Sequence, residues 1–229
     1  MKNRILLIIL GITIVLIGCT PKNSVNMDLE EKIKEKDTKI SELEDKINEL
    51  ESQLNNVNQP MSNNNLLSIV VDVMDSIKNK DMDRLSSYVH PTKGLTFSPY
   101  GHIDTESSQV VFTVEEVKNL KEDNKAYLWG HYDGSGEPIK LNFNDYYKRF
   151  VYDKDFANPQ IIGNDISIGE GNTVDNIKDV YPNSHFVEFY FKGFDPQYAG
   201  IDWRSLKLVF EEENGKMYLV AIVHGEWTI

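Results

Sequence analysis

Hydrophobic residues follow a different period in each part of this chain. Ile5 to Ile17 is an unbroken run of apolar and small residues behind a basic head, Met1-Lys2-Asn3-Arg4. Residues 29–57 switch to a heptad. Ile33, Ile40, Ile47 and Leu54 fall at a, and Leu29, Lys36, Leu43, Leu50 and Val57 at d, which predicts a long coiled-coil helix. The Asn-rich stretch 58–65, with Pro60, ends that pattern and reads as a linker. From Leu66 the pattern is that of an amphipathic helix, with Leu66, Leu67, Ile69, Val70, Val73, Met74 and Ile77 on one face and Lys78-Asn79-Lys80-Asp81 at its end. A short second helix is expected near Met82–Tyr88, stopped by His90-Pro91.

Beyond this point a period of two takes over. Leu95–Tyr100, Gln109–Thr113, Tyr127–Tyr132 and Ile139–Phe143 read as strands, with short helices at Val114–Leu120 and Asn144–Tyr152. His185–Lys192 and Ser205–Glu211 alternate most cleanly. In the final strand Tyr218, Val220, Ile222 and His224 are expected to face away from Leu219, Ala221 and Val223. Asn214-Gly215 predicts a tight hairpin turn between the last two strands. Helices followed by mostly antiparallel strands define an α+β domain over 66–229, with N-terminal helices on a curved, mostly antiparallel sheet. In element order it resembles the cone-shaped fold of nuclear-transport-factor-2-like domains, and the resemblance implies a pocket between helices and sheet.

Leu16-Ile17-Gly18-Cys19 closes the first apolar run. A helix over that run reaches roughly 20 Å against a hydrocarbon core of roughly 30 Å, which is short for a span and suits a secretory signal. The four residues resemble the lipobox of bacterial lipoproteins. That resemblance implies cleavage after Gly18 by signal peptidase II, a diacylglycerol on the Cys19 thiol, and a mature chain held by its lipid on the outer face of the cytoplasmic membrane. The alternative is an uncleaved N-terminal anchor with an incidental cysteine. The chain then divides into a signal peptide (1–18), a tether (19–28), a coiled-coil stalk (29–57), a linker (58–65) and a globular domain (66–229). Cys19 is the only cysteine, so no intrachain disulfide is available. Segments 90–100 and 129–138 are also similar to uncharacterised lipoproteins of Gram-positive bacteria, and the abundance of Lys, Asn and Ile separately suggests a low-GC Gram-positive source. That similarity implies location and domain type, and no activity.

Charge narrows the partners. The formal net charge is −12, which repels nucleic acid and anionic headgroups, so neither is expected as a partner. In the stalk, Ile at a with Leu at d favours two parallel strands. The g–e′ pairs of a parallel homodimer, Lys32 with Asp37, Lys39 with Glu44 and Lys46 with Glu51, are all attractive. A parallel homodimer through 29–57 is expected; a monomeric spacer and a different partner are the alternatives.

Candidate chemistry is sparse. His102 and Asp104 share one spacing with His131 and Asp133. On neighbouring strands these four side chains would converge as a ligand site, a metal site or an acid/base pair; the bland reading is loop residues near strand ends. Asp133-Gly134-Ser135-Gly136 resembles the middle of a calcium loop. The register puts His131 and Asn142 where principal carboxylates belong, so a Gly-rich turn is the better reading. Ser98 and Ser135 lack a nucleophile-elbow spacing, and no zinc helix or phosphate loop is present. No catalytic residue, metal or cofactor is therefore assigned. The clustered aromatics are expected to pack in the core, with a few lining a ligand pocket as the alternative, and Trp203 and Trp227 to pack between sheet and loops. Two function classes remain: a displayed domain binding an envelope protein or small ligand, and a hydrolase or isomerase with a His/Asp pocket.

Overall fold

The computed structural model describes residues 23–58, 66–106 and 110–229. The proposed signal peptide, Cys19 and most of the linker lie outside the described residues. The chain divides into two compact units after residue 60. The first is a single helix, α1 (Asn23–Asn58). It starts earlier than the heptad, inside the stretch read as a tether, because no helix breaker follows Pro21 until the stalk is over. Ile33, Ile40, Leu43 and Ile47 are each about half exposed. Among the described residues, no helix is long and apolar enough to cross a membrane.

The second unit is α+β. Helix α2 (Leu66–Lys78) buries Ile69, Val70, Val73, Met74 and Ile77 of the predicted face, whereas Leu67, also expected there, is exposed. It ends in a Schellman-type turn: Lys80 is left-handed at φ 51°, its N–H donates to Ile77 O, and the Asp81 N–H donates to Ser76 O. Asp81 then caps α3 (Met82–Ser86) by accepting the Arg84 N–H. Strand β1 (Leu95–Ser98) is wholly buried, and β2 (Val110–Phe112) pairs with it. Thr113 and Glu116 form a capping box that starts α4 (Val114–Asn119).

A separate hairpin, β3 (Ala126–His131) and β4 (Pro138–Asn142), leads into α5 (Phe143–Tyr146) and a π-turn over Tyr147–Val151. The chain returns through β5 (Ile161–Asn164), α6 (Ile177–Val180) and β6 (His185–Phe191), then closes with the hairpin β7 (Arg204–Glu213) and β8 (Lys216–Glu226). The main sheet runs β2-β1-β8-β7-β6-β5, antiparallel except where β1 lies parallel to β8.

Both faces of this sheet are covered. One face shares a core with α2, α5 and the π-turn, through Phe97, Leu206, Leu208, Phe210, Phe143 and Phe150. The other packs Val209, Val220, Ala221 and Val223 against Ile103, Ile177 and Tyr181. The strict alternation expected for the last strand is therefore wrong. Val209 opposes Ala221 and Phe210 opposes Leu219, so Val220 is a bulged residue without a partner across the ladder. The bulge puts Val220 and Ala221 on one face and returns Ile222 to the face of Leu219. Polar links hold the outer layer. Glu188, fully buried, accepts the Ile168 N–H at 2.5 Å, and Lys207 Nζ reaches Asp175 Oδ2 at 2.5 Å. Trp203 is packed as expected, whereas Trp227 is 40% exposed and corrects that expectation.

Candidate functional site

The site begins where β1 leaves the sheet. Ser98 Oγ donates to the carbonyls of Tyr100 and His102, folding the chain back on itself. Asn176 then grips Ile103 at both backbone groups, accepting its N–H at 2.7 Å and donating to its carbonyl at 3.0 Å. Ile103 is thereby buried, and its neighbours His102 and Asp104 are carried to the surface on either side of it.

The hairpin supplies the other half. Trp129 is buried, donates its indole N–H to Leu141 O at 2.8 Å, and stacks on Tyr146 with ring centroids 3.8 Å apart. The β3–β4 register shifts between Leu128 and His131, and Gly130 sits at φ 142° in the irregularity. Such irregularities re-aim side chains, and here His131 lines the cavity. Asp133 accepts the Ile229 N–H at 2.6 Å and gives its own N–H to the Tyr100 hydroxyl at 3.2 Å. Burial pushes the Tyr100 phenol up, and the Asp133 N–H only partly offsets it.

These elements enclose a cavity of about 250 Å³. Phe97, Pro99 and Trp129 are its apolar lining, and Thr173 and Thr228, hydrogen-bonded to each other at 2.6 Å, are part of its wall. His102, Asp104, His131 and Asp133 all line it. The two His-x-Asp segments thus meet, but not on neighbouring strands: His102 and Asp104 lie in the loop after β1, His131 ends β3, and Asp133 opens a turn. Among the described residues no three metal-ligating side chains converge. Asp104 accepts the Glu106 N–H. Residues 133–136 form the expected turn, closed by Gly136 N–H to Tyr132 O and Tyr132 N–H to Glu137 O.

A buried ionic cluster lies close by and was not foreseen from the sequence. His224, completely buried, approaches Pro99 O with Nδ1 at 3.2 Å and Asp153 Oδ1 with Nε2 at 3.4 Å. Arg204 sits 3.3 Å from Asp153 and 3.1 Å from Glu226, and Arg149 holds Glu226 at 2.6 Å. The contacts around Asp153 are at ion-pair distance without hydrogen-bond alignment: Asp153 Oδ1, Arg204 Nε and His224 Nε2 all lack an aligned partner. Burial raises the Asp153 carboxyl, but His224, then Arg204 and Arg149, outweigh it and hold it below the usual carboxylate range. The one sequence signal was an ionisable residue, His224, inside an apolar strand.

No protein-family model and no curated protein matches the chain. Among solved structures, a Xanthomonas campestris protein described as a calcium/calmodulin-dependent protein kinase II association domain is similar at 10% identity. The match covers 72% of this chain and 85% of the other, with a TM-score of 0.29. A likeness at that score carries no argument about fold or function.

Proposed function

We propose that this protein is an extracytoplasmic lipoprotein, anchored through Cys19, that displays a non-catalytic binding domain on a parallel, dimeric coiled-coil stalk. The anchor reading is supported by Leu16-Ile17-Gly18-Cys19 behind a short apolar run, and the stalk reading by the exposed heptad residues of α1. The domain is read as a cone of the nuclear-transport-factor-2-like type, supported by the core that α2 and α5 share with the sheet.

One observation carries the binding reading. The cavity gathers four ionisable side chains on one lining, and both of its carboxylates, Asp104 and Asp133, accept backbone N–H groups. Acid/base work needs a base within about 2.6–3.2 Å of its proton and a partner to orient it. Recognition needs only an apolar lining with a few convergent polar groups. The second reading, a hydrolase or isomerase using His131 and Asp133, draws on the same shared cavity. Two experiments test the proposal. Cells fed labelled fatty acid are expected to label the wild-type chain and not Cys19→Ser; continued labelling of that variant sinks the anchor. Native mass spectrometry of the detergent-solubilised full chain is expected to carry a small-molecule adduct that His131→Ala loses at unchanged thermal midpoint. Turnover of that adduct by the wild type would instead establish the enzyme.

A further inference from the structure

A second, solvent-open groove of about 410 Å³ adjoins the cavity and shares Tyr100 and Asp133 with it. Thr228 lines the cavity, whereas Trp227 lines the groove. Tyr100 and Tyr132 also line it, each packed against Phe150, and Tyr198 joins them from a separate loop.

Its aromatic rings are the first pointer. Trp227 is 40% and Tyr198 50% exposed, and among the described residues neither ring packs on another aromatic ring. The loop that presents Tyr198 is fixed. Asp195 caps the 3₁₀ turn Pro196–Tyr198, and Asp202 accepts the N–H groups of Phe194 and Asp195. Ala199 follows in the left-handed region at φ 50°. A non-glycine residue is held there only when its surroundings impose it, so Tyr198 is presented by a set conformation.

Charge is the second pointer. Arg149, Glu226 and Arg204 line the groove as a closed ladder, with Glu226 held by both guanidinium groups. The groove's other carboxylates, Asp133 and Asp202, accept backbone N–H groups. An ionic ligand would compete with these partners for the same charges. A neutral, hydroxyl-rich ligand would add hydrogen bonds at the edges of the ladder while its apolar face covers an exposed ring.

We propose that this groove binds one ring of a neutral glycan, stacked by its C–H face on Trp227 and Tyr198, with its hydroxyls on the Arg149–Glu226–Arg204 ladder. The proposal deepens the binding reading but uses residues other than His131, so either can fail alone.

Intrinsic fluorescence provides the test, because Trp129 and Trp203 are buried and Trp227 is the exposed tryptophan. The full chain in detergent is titrated with chitotriose and with maltotriose to millimolar concentration. A saturable shift in emission for at least one, insensitive to salt, is expected, with protection from acrylamide quenching. Tyr198→Ala is expected to weaken binding by about tenfold, and Tyr198→Phe to leave it intact. Trp227→Ala, followed by calorimetry, is expected to abolish it at unchanged thermal midpoint. Three results would overturn the proposal: no saturable response to either sugar, wild-type affinity in both alanine variants, or saturable binding of choline in place of the sugars.

Discussion

At the scale of single residues, Asp153 shows what a buried carboxylate contributes. It is 13% exposed and faces His224 and Arg204. Its folded carboxyl lies below the ordinary value of 3.8. A depressed carboxyl stabilises the fold above the unfolded value, and that stability is lost as pH falls through the folded one. Wild-type stability is therefore expected to decline as pH drops below about 4. Asp153→Asn is expected to cost about 3 kcal/mol at neutral pH, because it removes one of the two carboxylates that face the Arg204 guanidinium, and to flatten that decline. Urea denaturation across the acid range checks both. An unchanged acid limb in the variant would assign the decline to other carboxylates. Residues of this kind were not legible beforehand: Asp153 reads as one acid among 36, and only the fold brings it to a histidine far along the chain.

Among the elements, legibility followed period. The buried stripe of α2, the start of α4 at Val114 and the turn at Asn214-Gly215 depend on local spacing, so the sequence carries them directly. β5 escaped notice because Ile161-Ile162-Gly163-Asn164 has no alternation, and it is an edge strand that pairs only with β6. α6 is one turn long, too short to show a period. The bulge at Val220 is invisible for a different reason: register belongs to a pair of strands, and one strand's pattern does not contain it. The same holds at Gly130, whose irregular position turns out His131, so that the cavity was legible as residues and not as geometry. Gly130→Ala isolates the effect. A Cβ there would lie 3.4 Å from Pro99 Cγ, ordinary contact, so the expected cost is backbone strain at φ 142°. Such strain is worth about 1–3 kcal/mol. Chemical denaturation is expected to show that loss, and amide exchange at His131 to quicken. A neutral alanine would mean that the irregularity survives without glycine.

On the scale of the whole molecule, the acidic domain and the stalk argue separately, and the stalk yields the sharper prediction. A lone helix with Ile33, Ile40, Leu43 and Ile47 half exposed leaves much apolar surface in water, which a second copy would cover. Exposed g–e′ pairs contribute little stability each, so in the proposed dimer their part would be to choose a parallel partner over an antiparallel one. Orientation can be read covalently. In a parallel, in-register dimer the two Ile33 positions face each other across the seam, within the roughly 4.4–6.8 Å Cα separation a disulfide spans. Under an antiparallel arrangement position 33 of one chain faces the far end of the other. Thr38, at an f position, points away from the seam in both cases. Mild oxidation of full-length Ile33→Cys is therefore expected to give a dimer on a non-reducing gel, while Thr38→Cys and the wild type stay monomeric. Monomer from Ile33→Cys as well would count against the parallel dimer, and dimer from both variants would mean collision without a seam.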